Sequence, residues 1–170
     1  MEEFIKNMQR FLAQIAITPS ATRGERKSGV NAAIISTLSE LPLADFANQE
    51  RFAMNLEKWT DRLVTSCTRR VSFGTARKCL NIFLRDTVYN FYTLNYYKLC
   101  AIVPLLEVPL DGKVAKGIRD DLPNEQLPKW NGIVNLNRDQ HNNYQCAAEW
   151  IACEHYNMHR VHLDLIYFTR

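Results

Sequence analysis

The sequence predicts a mainly α-helical, single-domain bundle of about seven helices around one central, buried helix. Apolar residues recur at helical spacing in several segments, and prolines, glycines and capping residues separate these segments. One segment, 75–99, is apolar on more than one face, which is typical of a buried helix. A chain of 170 residues, 46% of them hydrophobic, can bury such a core without disulfides or a metal. We therefore expect residues 1–170 to form one domain.

The composition excludes several protein classes. Six glycines and six prolines are too few for a disordered or fibrous chain. No run approaches the roughly 18 apolar residues that a transmembrane helix needs, and the chain starts with glutamates rather than the basic residues of a signal peptide. We expect a cytoplasmic monomer that makes no contact with a membrane. The five cysteines include no Cys-x-x-Cys pair, so reduced, mostly buried thiols are expected at Cys67, Cys79, Cys100, Cys146 and Cys153.

Three helices are predicted before the central one. The first covers 2–16 and ends at a Thr-Pro pair, because the residue before a proline avoids the helical conformation. The second covers 30–41 and is also stopped by a proline. The third starts with Asp45 or Asn48 as its cap and continues to about residue 65. The first helix is expected to bury Phe4, Met8, Phe11, Leu12 and Ile15, and the third Phe52, Leu56, Trp59 and Leu63.

The central helix and the segments after it complete the predicted bundle. We place the central helix at 75–99, with a break near Asn95. Asp111 occupies an N-cap position before the apolar residues of the next helix. A further helix is predicted at 138–155. The tail at 160–168 alternates apolar and polar residues and fits a strand or a helix equally well.

Positive charge is concentrated around a glycine turn at residues 73–75. The first 100 residues carry 14 Lys and Arg against 9 Asp and Glu, and no acidic residue lies between Asp61 and Asp86. Such a patch could bind a phosphate backbone. It fits equally well a solvated face whose positive charges are balanced by acidic residues from other parts of the fold. The basic loop at 20–29 fits either an anion-binding loop or a solvated connector. The arginines that we expect to bind nucleic acid are Arg23, Arg69, Arg70 and Arg77.

Lys78 and Asp111 are the candidate catalytic residues. As an N-cap, Asp111 accepts hydrogen bonds from its own helix, and these bonds favour the ionised carboxylate. A carboxylate in a cleft can stabilise the positive charge that develops on a sugar. Lys78 can serve as an amine nucleophile that forms a Schiff base with a sugar carbon. Each residue also has a purely structural interpretation, as a helix cap and as a surface lysine.

Two histidine patterns suggest other chemistry. His155 and His159 are four positions apart, and His162 follows, so a helix could present them to a metal. No glutamate follows the first histidine as in metalloproteases, and histidines near a helix end also interact favourably with its dipole. We therefore expect no metal site. Arg138 and His141 superficially resemble the Arg…His pairs of helical ribonucleases, but their spacing is too short for that family.

Residues 74–78 read Gly-Thr-Ala-Arg-Lys, and residues 108–111 read Val-Pro-Leu-Asp. These two motifs resemble those of the helix-hairpin-helix DNA glycosylases. The resemblance covers about residues 72–116 and implies a glycosylase-like helical fold. In such a fold, a hairpin containing Gly74 and Thr75 would grip the DNA backbone. The chain lacks the cysteine quartet of an iron–sulfur cluster, so no cofactor is expected.

This resemblance implies base excision from double-stranded DNA. The target nucleotide would leave the base stack, and Asp111 would stabilise the sugar cation as the N-glycosidic bond breaks. Water would complete a hydrolase reaction, or Lys78 a lyase reaction with strand cleavage. The excised base could be a repair lesion or a hypermodified viral base. A viral base would imply a role in antiviral defence. A non-catalytic DNA-binding or protein-interaction module is the alternative. The expected base-pocket residues are Trp130, Phe73 and Asn81.

Overall fold

A computed structural model describes residues 1–18, 21–22, 24–25, 29–66, 71–123 and 126–169. Every regular element in these ranges is helical, which confirms the mainly α fold class. Short 3₁₀ helices occur at Leu99–Leu105, Ile133–Asn135 and Arg160–His162. Within the same ranges, none of the helices combines the length and apolar character needed to cross a membrane. The α-helices are α1 (Glu2–Ala16), α2 (Val30–Ser39), α3 (Leu43–Phe46), α4 (Gln49–Thr65), α5 (Phe73–Tyr89), α6 (Phe91–Tyr96), α7 (Gly112–Asp121), α8 (Arg138–Tyr156) and α9 (Leu163–Thr169).

The apolar core consists of two clusters that meet at a polar boundary. The first cluster joins α1, α2, α4 and α5 and ends along the chain at Leu106, with Val161 added from the tail. The second begins at Val108 and joins α7, α8 and α9. Glu107 therefore lies between the clusters. We call the buried polar group at this boundary the seam; it consists of Arg77, Asn81, Glu107 and His141.

The central helix α5 is confirmed as a buried helix, but it is shorter than predicted. The Ser72 hydroxyl caps it by accepting a hydrogen bond from the Thr75 N–H. The helix ends at Tyr89, because Asn90 adopts an extended backbone and its side chain caps α6. A helix end near Asn95 is found, because α6 stops at Tyr96, but the earlier break at Asn90 was not predicted. Apolar spacing continues across the junction, and only the capping residue marks it.

The predicted caps at Asn48 and Asp111 are confirmed. The Asn48 side chain accepts a hydrogen bond from the Arg51 N–H at the start of α4. Asp111 caps α7 in the same way, through the N–H groups of two following residues. The ambiguous tail is helical, with α9 following a 3₁₀ turn.

The predicted buried stripe of α1 is rotated relative to the structure. Phe4, Phe11 and Ile15 are exposed, whereas Ile5 and Leu12 are buried. A polar anchor explains the rotation: the buried Gln9 amide donates to the carbonyl groups that end α2 and follow it, at Leu38, Ser39 and Leu41. Satisfying these carbonyls fixes which face of α1 turns inward.

The cysteines are less buried than predicted. Cys79 is buried, and burial raises the pKa of its thiol to about 12. Cys100, Cys146 and Cys153 are exposed free thiols, so the prediction of burial is wrong for these three. Cys67 lies outside the described residues.

Candidate active site between α5 and α7

The structure brings Lys78 and Asp111 together. Lys78 lies in the second turn of α5, and its Nζ is 3.5 Å from Oδ2 of Asp111. The other carboxylate oxygen, Oδ1, accepts hydrogen bonds from the N–H groups of Lys113 (2.9 Å) and Val114 (3.0 Å). One oxygen of Asp111 therefore caps α7, and the other faces the lysine. The capping role and the ion-pair role do not compete for the same atom.

The two members of the pair differ in their access to solvent. The Lys78 side chain is 8% exposed, whereas that of Asp111 is 37% exposed. A buried ammonium group loses hydration and depends on a nearby carboxylate for compensation. A molecule that approaches from solvent consequently reaches the Asp111 carboxylate before it reaches the amine.

The backbone before Asp111 is fixed by a side chain of α8. Gln145 is buried, and its amide accepts from the Val108 N–H (3.1 Å) and donates to the Val108 carbonyl (2.8 Å). Val108 and Leu110 are themselves buried in the second core cluster. Gln145 holds the backbone of this extended segment, and the core encloses its side chains. Asp111 therefore has a fixed position at the start of α7.

The seam is close to this pair in sequence on two segments: Arg77 directly precedes Lys78 on α5, and Glu107 lies four residues before Asp111. Arg77 is 4% exposed and donates from Nε to Oε2 of Glu107 (2.9 Å) and from Nη1 to the Thr60 hydroxyl (2.7 Å). Oε2 of Glu107 also accepts from Asn81 (2.9 Å) and contacts Nε2 of His141 (2.8 Å). Burial alone would raise the pKa of Glu107, but His141, Arg77 and Asn81 outweigh it and lower the pKa to about 2.

The expected nucleic-acid contacts on α5 are not at the surface. Gly74 and Thr75 form the first turn of α5, and both are buried. A Cβ at Gly74 would lie 2.0 Å from the carbonyl oxygen of Ile133, so glycine is needed here for close packing. The predicted hairpin grip at these two residues is therefore wrong, and Arg77 is a seam residue. The remaining expected cations, Arg23, Arg69 and Arg70, lie outside the described residues.

The three expected base-pocket residues occupy different places. Trp130 is half-buried and lies beside Gly112, the residue after Asp111, since a Cβ on Gly112 would lie 3.8 Å from its indole nitrogen. Phe73 instead lies beside the seam, with its ring centroid 5.6 Å from that of His141. Asn81 is buried in the seam and donates to Glu107, so its predicted pocket role is wrong.

Exposed cations near Asp111 come from α7 rather than from α5. Lys113 and Lys116 are both exposed, and Nζ of Lys113 lies 5.2 Å from the centre of the Phe168 ring. Lys116 pairs with Asp120 on the same helix. Together with buried Tyr167, these α7 side chains line a cavity of about 240 Å³. This is the cationic surface next to the pair.

One ion pair near the site was not predicted. Arg85, seven positions after Lys78 on α5, donates to Asp164 of α9 and to Asp86. Burial raises the pKa of Asp164, Arg85 opposes this effect, and the charges of Asp111 and Lys78 also act on it. Arg85 lies two helical turns after Lys78, so the sequence could have placed both on one face of α5. Its partner Asp164 could not be placed, because the sequence left the tail open between a strand and a helix.

The three histidines do not form one cluster: the rings of His159 and His162 are 6.2 Å apart, but His155 packs elsewhere. Nδ1 of His162 is 2.7 Å from the Tyr89 hydroxyl, and the His155 ring packs against Trp150. Over the ranges that the structure covers, no group of three or more His, Cys, Asp or Glu side chains could hold a metal ion.

Comparison of the chain with protein-family models, curated proteins and solved structures found no match.

Proposed function

We propose that this protein is a DNA glycosylase-like enzyme that removes a damaged or modified base by cleaving its N-glycosidic bond. The observation that supports this function best is the pair formed by Lys78 and Asp111. A partly exposed carboxylate faces a buried ammonium group at 3.5 Å, at the start of a helix that carries exposed lysines.

The carboxylate of Asp111 suits the charge changes of base removal. When the bond between the sugar and the base breaks, the base takes the bonding electrons and the sugar ring becomes positively charged. A carboxylate that is already oriented stabilises such a charge without reorganising. The two backbone hydrogen bonds to Oδ1 of Asp111 provide this orientation for Oδ2. A water molecule then adds to the sugar carbon and passes a proton to the departing base, which leaves an abasic site and the free neutral base.

Lys78 would make a second reaction available. Its amine attacks a sugar carbon only in the neutral form, so its proton must first pass to Asp111 or to solvent. The resulting Schiff base would lead to strand cleavage, whereas water alone gives base release without cleavage. The burial of Lys78 supports a charge-stabilising role in the resting pair and leaves the nucleophilic role for experiment.

Binding of duplex DNA would use the cationic surface of α7. Lys113 and Lys116 are exposed near Asp111, and cations in this position attract phosphates. Trp130 lies beside Gly112 at the start of α7 and would offer an aromatic edge to an extruded base. In this proposal α7 takes over the backbone-binding role that the buried first turn of α5 cannot perform.

A non-catalytic binding module is the second candidate. Helix capping by Asp111 and burial of Lys78 give both residues a complete structural role, and this observation favours it. The α7 lysines would then bind nucleic acid or an acidic protein without any reaction.

Base release from duplex DNAs that carry natural, damaged and hypermodified bases distinguishes the two candidates. We expect abasic sites with the wild type and none with Asp111→Asn, which keeps a capping side chain and hence the fold. Asp139→Asn is the matched control, because Asp139 is an exposed acid in the first turn of another helix, α8. Full activity of Asp111→Asn would remove this residue from the mechanism.

Two further outcomes separate the remaining possibilities. If Lys78→Ala releases bases but no longer cleaves the strand, the lysine is the nucleophile of a bifunctional enzyme. If the wild type releases no base from any duplex but still binds DNA with a steep salt dependence, the protein is a binding module.

A further inference from the structure

The tail, residues 160–169, contacts both elements that carry the candidate catalytic pair. On the α5 side, Asp164 near the start of α9 accepts a hydrogen bond from Arg85. This ion pair is largely buried, with 15% of the Arg85 side chain and 19% of the Asp164 side chain exposed. One turn further along α5, the rings of Tyr89 and His162 stack with their centroids 5.6 Å apart. These two contacts fix the tail against α5.

On the α7 side, α9 packs so closely that only glycine fits between the helices. A Cβ at Gly117 would lie 2.3 Å from the Tyr167 ring. The Tyr167 hydroxyl donates to Asp121 at the end of α7 (3.0 Å). Nearer the start of α7, Nζ of Lys113 lies 5.2 Å from the centre of the Phe168 ring. The helix α9 therefore contacts α7 from its second residue to its last.

Three contacts thus join α5, α7 and α9 in a closed triangle. The Lys78–Asp111 pair joins α5 to the start of α7. The Arg85–Asp164 pair joins α5 to α9. Tyr167 joins α9 to α7. A shift of α9 relative to α5 would therefore move α7, and with it the carboxylate of Asp111 relative to the amine of Lys78.

The spacing on α5 places the two ion pairs on one side of this helix. Lys78 and Arg85 are seven positions apart, which is about two helical turns and about 10 Å along the axis. The carboxylates also act on each other. Burial raises the pKa of Asp164, Arg85 opposes this effect, and the charge of Asp111 raises the pKa further. Asp164 thus belongs to the same group of charges as the candidate catalytic pair.

We propose that Asp164 is a positioning residue of the candidate active site, which keeps Asp111 in place against Lys78 by joining α9 to Arg85. The proposal rests on the proposed base excision, in which Asp164 itself touches no part of the DNA. A carboxylate that stabilises a sugar cation must already be oriented. The helix cap orients Asp111 only within α7, because it uses N–H groups of that helix. The contacts of α9 orient α7 relative to α5, which the cap does not do.

Base release by variants of this ion pair tests the role of Asp164. Asp164→Asn should slow base release by up to about 100-fold, since a misplacement of about 1 Å at the reacting groups can have an effect of this size. Asp164→Glu keeps the charge and should recover part of the rate. Circular dichroism would check that the variants stay helical.

Asp86→Asn is the matched control for this experiment. Asp86 accepts from the same arginine and is 18% exposed, but it lies on α5, so its loss leaves the contact between α5 and α9 in place. The rate of this variant should stay close to that of the wild type. An unchanged rate for Asp164→Asn, or equal losses for Asp164→Asn and Asp86→Asn, would overturn the proposal.

A second measurement does not depend on base release. Carbon-13 NMR of the aspartate carboxyl groups follows the titration of Asp164 in the folded protein. Asp111→Asn should lower the pKa of Asp164, because the charge of Asp111 contributes to raising it. Asp139→Asn, in the first turn of α8, should leave the pKa of Asp164 unchanged.

The two measurements separate failure of this proposal from failure of the proposed function. If Asp111→Asn leaves the pKa of Asp164 unchanged, the proposal is overturned even when the wild type releases bases. If the pKa responds but the wild type releases no base from any duplex, the proposed function fails, whereas the coupling between Asp164 and Asp111 is supported.

Discussion

Replacing Glu107 with glutamine tests whether the buried carboxylate stabilises the seam. The variant keeps the size of the side chain but removes one of the two carboxylate charges that face Arg77, which is 4% exposed; Glu57 supplies the other. Removing one partner of a buried ion pair costs about 3–5 kcal/mol. The pKa of Glu107 gives a second figure: lowering it from 4.5 to about 2 corresponds to about 3–4 kcal/mol, at about 1.4 kcal/mol per pKa unit. We therefore expect Glu107→Gln to lose about 3 kcal/mol of unfolding free energy at neutral pH.

The same reasoning fixes the sign of the pH dependence. The pKa of Glu107 is lower in the folded chain than in the unfolded chain, so the unfolded chain takes up the proton first as the pH falls. The stabilisation by this carboxylate is complete above a pH of about 4.5 and is lost as the pH falls towards 2. The difference between the wild type and Glu107→Gln should therefore be constant near neutral pH and shrink in acid.

Urea denaturation at a series of pH values measures both quantities. Glu2→Gln is a suitable control, because Glu2 forms an exposed pair with Lys6 and its replacement should change stability little. Equal urea midpoints for the wild type and Glu107→Gln at neutral pH would refute the idea that the seam stabilises the fold. A difference that persists undiminished in strong acid would show that packing, rather than charge, is responsible.

Two further predictions concern packing and thiol reactivity. Gly117→Ala should destabilise the protein by about 1–3 kcal/mol in thermal or urea unfolding, because its Cβ would lie 2.3 Å from the Tyr167 ring. Gly112→Ala, in the same helix, should be tolerated, since its nearest neighbour would be at 3.8 Å; equal losses in the two variants would contradict this explanation. Iodoacetamide should modify exposed Cys100 in the native protein and buried Cys79 only after unfolding, as measured by peptide mass mapping. Modification of both at similar rates would show that Cys79 is accessible.

The parts of the fold that could be predicted from sequence are those determined by neighbouring residues. Asn48 and Asp111 are helix caps because an Asx side chain before an apolar periodic segment satisfies N–H groups within three positions. The end of α5 was missed although the same signal was present at Asn90, because the apolar spacing continues past it. Local capping chemistry was thus a better guide to helix ends than periodicity.

Features that depend on distant residues could not be predicted in this way. The orientation of α1 is set by Gln9, whose partners follow about thirty positions later at the end of α2. The buried state of Arg77 depends on Glu107 and Thr60, which come from two other parts of the chain. A basic run therefore suggested an exposed phosphate-binding surface, although one of its arginines neutralises an internal carboxylate. The proximity of Lys78 to Asp111 is also a long-range feature, and the sequence offered it only as a possibility.

Two successive ion pairs connect α5 to the segment before α7, and they have different roles in the candidate site. Arg77 and Lys78 are neighbours on the helix and therefore point about 100° apart. Their partners, Glu107 and Asp111, are separated by an extended, buried segment that spans about 13 Å. The first pair is consequently enclosed in the seam, while the second ends at a partly exposed carboxylate. The first pair fixes the position of the helix from which Lys78 projects, so the orientation of Lys78 towards Asp111 depends on a contact outside the candidate active site.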